Sequence, residues 1–490
     1  MRNTKKSSLP LLQYTTGGDE IVLVNNMIKI IVCVRQSASG DINPFDASAY
    51  EAALRIPSSH VILLSMGPMK VYDFLKKLTR LGAKEAYLLS DSAFAGADTL
   101  ATSYTLSLAI KKLGADFVFC GRQTTDGDTG QVGPQLAIRL GYDLTCQAMS
   151  ISGDTADGKR IRVTTRMGEE KLLTSPALIT VEKIYNLRLP SLRGKTAEVK
   201  VLDATDLVAD TSRCGSAGSP TKVVRSFENN LDRRKCKFIS PSELESVISG
   251  ARKNPRTKPT TKTSEHRLDK VFIIGASPLD FAKAISDDIR IVEECDADKI
   301  CKLIAEENPS CVLWGSDSAG KITAATVAAR LELGLCADCT ALEFDGKELF
   351  MYRPAFGGNI IAKIKSTSRP AMATVRCVSD LRPSVVIGVG MGAKNYLEQV
   401  QDFAKRIGAD VGASRLMVDH DFLPYESQIG LTGKCVSADV YIAIGISGAV
   451  HHIAGIRSSG KIIAINPDSS APIFDYADYG IVAKVEDLSL

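Results

Sequence analysis

The chain has 490 residues, 44% of them hydrophobic, enough for roughly two to four domains with cores of their own. Its 60 basic and 56 acidic residues nearly cancel to a net charge of +4, which speaks against nucleic acid as a partner, and no apolar run reaches the ~18 residues of a membrane span. With no continuous apolar segment or small-residue cleavage site near its start, the chain reads as cytoplasmic.

Met27-Ile-Lys-Ile-Ile-Val-Cys-Val opens the first strand, so residues 1–26 read as a disordered extension or a start-site artefact. Strand-like runs then alternate with helical periodicity at 29–34, 60–66, 117–120, 271–274, 311–314, 385–389, 440–444 and 462–465. That βαβ rhythm predicts an α/β fold of doubly wound parallel sheets. Ala115-Asp-Phe-Val-Phe-Cys-Gly121, a polar loop and Ala137-Ile-Arg-Leu-Gly are echoed by Ser310-Cys-Val-Leu-Trp-Gly315, a loop and Ala329-Arg-Leu-Glu-Leu-Gly. The echo predicts two related units about a pseudo-twofold axis. Between them, residues 233–268 are basic and rich in Pro, Thr and Ser, the composition of a linker; no aromatics are interleaved, as a nucleic-acid surface would need. The expected division is 27–232, a linker over 233–268, then 269–380 and 381–490. Cysteines inside apolar runs (Cys33, Cys120, Cys311) read as small buried hydrophobes, and the lone C-x-x-C of Cys336 and Cys339, without a second pair, predicts no metal.

Most of the chemistry is concentrated near the carboxyl end: G-A-S-R at 412–415, Q-I-G-L-T-G-K at 428–434, G-I-S-G-A-V-H-H at 445–452 and A-I-N-P-D at 464–468. Ser447, Gly448 and Ala449 would open a helix whose free N–H groups and dipole favour a pyrophosphate. In the first half, Gly121-Arg-Gln-Thr-Thr-Asp-Gly-Asp-Thr-Gly-Gln-Val-Gly-Pro134 lies between a strand and a helix, so its backbone can cradle phosphate and Thr129 can donate a hydrogen bond. Gly388-Val-Gly390-Met-Gly392 by itself suggests a Rossmann NAD site, but a bare G-x-G-x-G is a weak signal.

T-G-K, G-I-S-G-A-x-x-H, A-I-N and A-P-I-F-x-x-A-D-Y-G-I-V, in that order, resemble the C-terminal FAD domain of the electron transfer flavoprotein α-subunit, and R-P-A-F-G-G-N from Arg353 resembles the joint between that subunit's two domains. The first half resembles the β-subunit. The resemblance implies a β–α fusion of three doubly wound parallel-sheet domains: two pseudo-symmetric adenine-nucleotide α-hydrolase-like units and a Rossmann-like FAD domain. It implies an electron carrier that takes electrons from an acyl-CoA or other dehydrogenase and passes them singly to an acceptor redox protein. A non-redox adenine-nucleotide-binding regulatory module is the alternative outside that class.

The same resemblance assigns FAD to Ser414, Arg415, Gln428, Ile429, Gly430, Leu431, Thr432, Gly433, Ser447, Gly448, Ala449, Val450, His451, His452, Asn466 and Asp478. Arg415 would lie against the isoalloxazine, where a unit charge ~4 Å away at an effective dielectric near ~20 is worth up to about 4 kcal/mol. Thr432 would meet flavin N5, and His452 would sit near O2, where a protonated ring adds positive charge; His451 is left a helix-surface or phosphate-side role. A second nucleotide falls to Cys33, Asn43, Met66, Arg122, Asp126, Gly127, Asp128, Thr129, Gly130, Gln131, Val132 and Gly133. Ordinary members hold AMP there and electron-bifurcating members a second FAD, and D-G-D-T-x-Q-V-G-P resembles the bifurcating form. Only a short turn follows Val34 where the family has a long excursion, which removes surface for a nicotinamide nucleotide and leaves NADH open as a donor. Leu189, in N-L-R-L-P, matches a partner-binding leucine.

Overall fold

A computed structural model of the chain describes residues 27–154, 159–191, 194–228, 233–253, 263–376, 384–430 and 433–488. The expectation for residues 1–26 lies outside them. The first unit is a nine-stranded sheet running, edge to edge, Glu170–Thr174, Arg160–Thr165, Asp143–Asp154, Ala177–Val181, Phe117–Gly121, Ile28–Cys33, Ser59–Met66, Glu85–Leu89 and Val199–Leu202. Its first two junctions are antiparallel and the remainder parallel. Helices cover both faces of the strand Ile28–Cys33, leaving Ile30, Ile31 and Val32 fully buried, which is why it reads as an unbroken apolar run.

The second unit repeats the middle of that sheet with five parallel strands, Ile289–Val292, Val271–Ile274, Cys311–Gly315, Ala371–Val375 and Leu335–Cys339. The helices that follow the two echoing strands, Val132–Leu140 and Ser318–Leu331, pack against each other across the seam. The repetition extends to a bulge. Gln147 and Asp338 sit at φ 60° and 61°, and each N–H donates to a threonine hydroxyl on the neighbouring strand, Thr180 at 2.9 Å and Thr374 at 2.8 Å.

The C-terminal unit is a six-stranded parallel sheet ordered Lys237–Phe238, Tyr479–Ile481, Lys461–Ile465, Val440–Ile444, Val385–Val389 and Asp410–Ala413. Its first strand corrects the linker expected over 233–268. Lys237–Phe238 extends this sheet, and the helix Leu244–Lys253 buries Leu244, Ile248 and Ala251 in the same core as Val385 and Ile387. The Pro/Thr/Lys bias downstream conceals an apolar stripe at helical spacing, opened by a capping box between Ser240 and Glu243. Only 254–262 of that stretch lies outside the described residues.

The boundary at 232 is corrected too. Thr221–Glu228 leaves the first sheet and forms the edge of a separate four-stranded antiparallel sheet with Ile360–Ser366, Leu349–Ala355 and Ala341–Phe344. Every residue of that strand but the first is exposed, so it carries no core pattern for a sequence reading to find.

Candidate functional site

Three segments of the C-terminal unit meet at the carboxyl ends of its parallel strands, where open α/β sheets take ligands. Asp410–Ala413 runs into Ser414 and Arg415, Val440–Ile444 into Gly445–Ala449, and Lys461–Ile465 into Asn466. The turn from Gln428 is tied between them: Ile429 N–H donates to the Ala413 carbonyl at 2.8 Å and Gly430 N–H to that of Lys434 at 3.1 Å. Gly430, at φ +143°, lies so close to the next helix that a Cβ would sit 2.9 Å from the His451 carbonyl oxygen, and one at Gly433 would sit 2.3 Å from that of Gln428. Leu431 and Thr432 lie outside the described residues. Ser447 accepts the Ile473 N–H at 3.0 Å through its carbonyl, Gly448 sits at φ +93°, and Ala449 precedes the two-turn helix Val450–Ile456. Asn466 Nδ2 donates to the Ile446 carbonyl at 3.0 Å, fixing that side chain beside the same loop.

Asp478 does not belong to this group. It accepts from the Ile462 N–H at 2.8 Å and pairs with Arg234 and Lys461 at the amino ends of the strands, the far side of the sheet from the loops. Its acidic character serves strand pairing. The Gly388–Gly392 run likewise serves packing, since a Cβ at Gly390 would lie 2.1 Å from the Gly445 carbonyl oxygen. His451 is exposed on the helix, whereas His452 is 6% exposed and bonded through Nε2 to Tyr441 Oη at 2.9 Å. Burial pushes the His452 imidazole down to about 4, with the Ile429 backbone pulling the other way. The ring is therefore neutral near pH 7, which corrects the expectation of a protonated histidine: an enclosed imidazole with no carboxylate beside it loses its charge.

Arg415 faces the seam with the first unit. Its guanidinium pairs with Asp419 at 3.0 Å, approaches Glu182 at 3.8 Å and lies 5.5 Å from the Phe45 ring centroid. Glu182 is buried and draws in Arg122 at 3.2 Å and Arg166 at 3.4 Å as well. Arg166 then crosses the seam, donating to Gln428 at 2.5 Å and Asp419 at 3.3 Å while stacking 4.3 Å over Tyr425. Arg166 and Glu182 pair with residues far away in sequence, so no local spacing flags them, whereas Asp419 stands at i,i+4 from Arg415, a helical ion-pair spacing that was the one signal available.

In the first unit the other expected site forms at the carboxyl ends of its central strands. Cys33 and Met66 close two of them, and Asn43 reaches from the helix start to the loop, donating to the Gln123 carbonyl at 3.0 Å and accepting the Thr125 N–H at 3.3 Å. Asp126 is held by Arg35 at 2.7 Å, Asp128 accepts from Gln123 at 3.0 Å, and Gly127 donates to Thr124 Oγ1 at 3.2 Å. Gly130 takes φ +67° before the helix from Val132, and Gly133 lets that helix close on Thr180, where a Cβ would lie 2.5 Å from Cγ2. Arg122 turns away from the loop to Glu182, and Gln131 bridges Thr99 at 2.7 Å and the Leu335 carbonyl at 3.3 Å.

The second unit braces this loop. Arg353 donates to the Gly127 carbonyl at 2.6 Å and the Phe356 N–H to that of Asp126 at 3.1 Å, while the same Phe356–Gly358 turn touches the helix Val450–Ile456. A cavity of about 450 Å3 opens beside Thr129 and Gln131 and continues between the units past Asp98, Thr99, Leu335, Ala337 and Arg353. Among the described residues no helix is long and apolar enough to cross a membrane.

Parallel sheets carrying glycine-rich loops at their carboxyl ends define the class, a multidomain α/β nucleotide-binding protein. Comparison with known proteins then narrows it. The electron transfer flavoprotein domain matches residues 30–207 and again 290–379, and the electron transfer flavoprotein FAD-binding domain matches 379–457. The N-terminal half is similar to the electron transfer flavoprotein subunit beta of Megasphaera elsdenii, 41% identical over 213 residues that cover 40% of this chain and 78% of that one. The remainder is similar to the electron transfer flavoprotein subunit alpha of Thermoanaerobacterium thermosaccharolyticum, 37% identical over 235 residues, 39% of this chain and 71% of that one. Protein FixA of Azorhizobium caulinodans is 42% identical over 228 residues, 43% of this chain and 81% of its own. The chain belongs to the electron transfer flavoprotein family, as a β–α fusion whose C-terminal unit is an FAD-binding domain, and it works in electron transfer with redox partners.

Proposed function

We propose that the protein carries electrons one at a time from a dehydrogenase to an acceptor redox protein, with FAD on the C-terminal loops and a second FAD, rather than AMP, on the loop from Arg122 to Gly133. Bound FAD supplies the one-electron chemistry that the side chains lack. Ser414, Arg415, Gln428 and His452 would hold the ring end, Ser447, Gly448 and Ala449 the pyrophosphate, and Asn466 the ribose end. The donor set fits an electron-rich ring: a permanent cation at Arg415 and a buried histidine nitrogen, Nδ1, that no acceptor among the described residues meets in hydrogen-bonding geometry.

The cavity beside Thr129 supports the reading of a second flavin. That cavity of about 450 Å3 meets the loop at Thr129 and Gln131 and runs on between apolar walls at Leu335, Ala337 and Ile364, with Arg353 at one side. That is room for a planar ring. The shortened turn from Arg35 to Ile42, closed by a bridge between Gln36 and Ile42, presents little surface to a nicotinamide nucleotide, which favours the carrier over the NADH-oxidising bifurcating form. Counting the nucleotides released from purified, denatured protein tests the reading. Two FAD per chain are expected; one FAD with one AMP removes the second flavin. Colourless protein that takes up no added flavin returns the chain to a non-redox nucleotide module, and bleaching by NADH alone would restore the nicotinamide donor.

A further inference from the structure

We propose that Tyr441 is a positioning residue that holds His452 in its neutral Nδ1–H tautomer, so that the ring presents a hydrogen-bond donor, and not a cation, to a ligand on the C-terminal loops. The ligand's identity rests on the flavin reading above; the geometry does not. Tyr441 is fully buried in the strand Val440–Ile444, and its ring passes beneath Gly388, where a Cβ would lie 1.6 Å from the phenol oxygen. Glycine at 388 thus keeps the hydroxyl pointed at His452 Nε2, 2.9 Å away.

Two proton arrangements satisfy that contact, and only one satisfies the phenol. If Nε2 carried the proton and donated, the Tyr441 O–H would be left without an acceptor in the core, because Nε2 is its one hydrogen-bond partner among the described residues. Stranding a buried hydroxyl proton forfeits its hydrogen bond and leaves the cost of its desolvation unrecovered. If the phenol donates, Nε2 is the acceptor and the ring proton moves to Nδ1. Burial raises the phenol above its usual range and lowers the imidazole to about 4, so both partners are neutral in the physiological range. Nδ1 is itself buried. The Ile429 backbone beside it favours a proton on the same nitrogen, and no acceptor among the described residues holds that N–H in hydrogen-bonding geometry, which leaves it free to meet a ligand.

Histidine-labelled protein, stripped of flavin and then reloaded with FAD, tests this by 1H–15N NMR, with His452→Gln to assign the resonance. The proton is expected on Nδ1 in stripped protein. Tyr441→Phe should lower the ratio of Nδ1–H to Nε2–H by about fivefold, the factor of one neutral hydrogen bond. An Nε2–H ring in the unaltered protein, or a ratio unmoved in the variant, overturns the proposal. Should Tyr441→Phe not fold, fluorotyrosine at 441 keeps the donor and makes it more acidic; the Nε2 resonance should then shift, and one that stays put overturns the proposal equally. Loading FAD should move the Nδ1–H resonance downfield, and bound FAD that leaves it unmoved removes the donor role. Failure to take up FAD at all defeats the flavin reading, while the tautomer stands or falls on the stripped protein.

Discussion

The two related units end the same strand in opposite charges. Thr180-Val-Glu182 closes one and Thr374-Val-Arg376 the other, and the bulge residue beside each is Gln147 in the first and Asp338 in the second. In the second unit the cation is neutralised at home: Asp338 accepts from Arg376 and from Ser316 at 2.8 Å, with Lys321 at 3.7 Å. In the first, a neutral Gln147 adds no charge of its own, and the Glu182 carboxylate draws in Arg122, Arg166 and, from the C-terminal unit, Arg415. The loops diverge in the same sense. Residues 122–131 separate strand from helix in the first unit, but only 316–317 do so in the second, where Asp317 caps the helix by accepting the Gly320 N–H at 2.9 Å. One chain path thus serves twice, once open to a nucleotide and a neighbouring domain and once closed upon itself.

The largest difference should appear when each bulge residue is truncated. Asp338→Ala strands Arg376, whose side chain is 10% exposed, and should cost about 3 kcal/mol in urea unfolding, whereas Gln147→Ala loses a neutral bond to Ser318 and should cost about 1 kcal/mol. Equal losses would break the comparison. Acid sharpens it. Burial alone would raise the Asp338 carboxyl, but the charges of Arg376 and Lys321 outweigh that and hold it well below the usual range. A group whose folded value is depressed gives its full stability above its unfolded value, near ~3.9, and loses it as the pH falls below that. Melting curves taken through that range should therefore fall less steeply for Asp338→Asn than for the unaltered chain.

A smaller effect is expected at the seam. Arg166→Ala removes charge-assisted bonds to Gln428 and Asp419 and should cost about 2 kcal/mol of docking between the first and C-terminal units. Hydrogen exchange should rise over residues 413–430 and stay unchanged in the five-stranded sheet of the second unit. If protection is lost in both, the seam is not where the first unit's surplus charge is used.

The parallel sheets were legible because fully buried strands such as Ile28–Cys33 and Val440–Ile444 leave unbroken apolar runs, and the repeated unit because its strand and helix segments recur in order. What escaped was whatever depends on a distant partner. The helix Leu244–Lys253 is amphipathic, but it stands upstream of a lysine- and proline-rich tract that dominates the composition. Arg166 occupies a hairpin turn where an arginine is ordinary until Gln428 is brought to it by the fold. The candidate flavin loops were visible as motifs, yet Asp478 shares their motif while lying at the other end of the sheet, because a motif records neighbours along the chain and not which end of a strand they cap. His452 was located correctly in its helix and its charge was misjudged, since burial beneath Tyr441 is a property of packing.

The smallest effect on folding should accompany the most selective effect on function. The segment that follows Glu182 turns back over the helix Pro44–Arg55, where Arg188 is bonded to Glu51 by its N–H at 3.1 Å, Nε at 2.9 Å and Nη2 at 3.0 Å. Next to this anchor, Leu189 is 89% exposed. An exposed leucine contributes little to folding, so Leu189→Ala should leave the unfolding free energy within about 0.5 kcal/mol. Held on a pinned backbone, the same leucine can enter a partner's pocket without a large ordering cost, and its truncation should weaken binding by more than about 1 kcal/mol. Reduction of the FAD-loaded protein by a dehydrogenase that serves as its donor should then slow roughly tenfold through KM, with kcat kept. Arg188→Ala should depress the same rate while also lowering stability, because it releases the segment as well as the side chain. A Leu189→Ala protein that accepts electrons at the unaltered rate from every dehydrogenase tried would move the docking surface elsewhere.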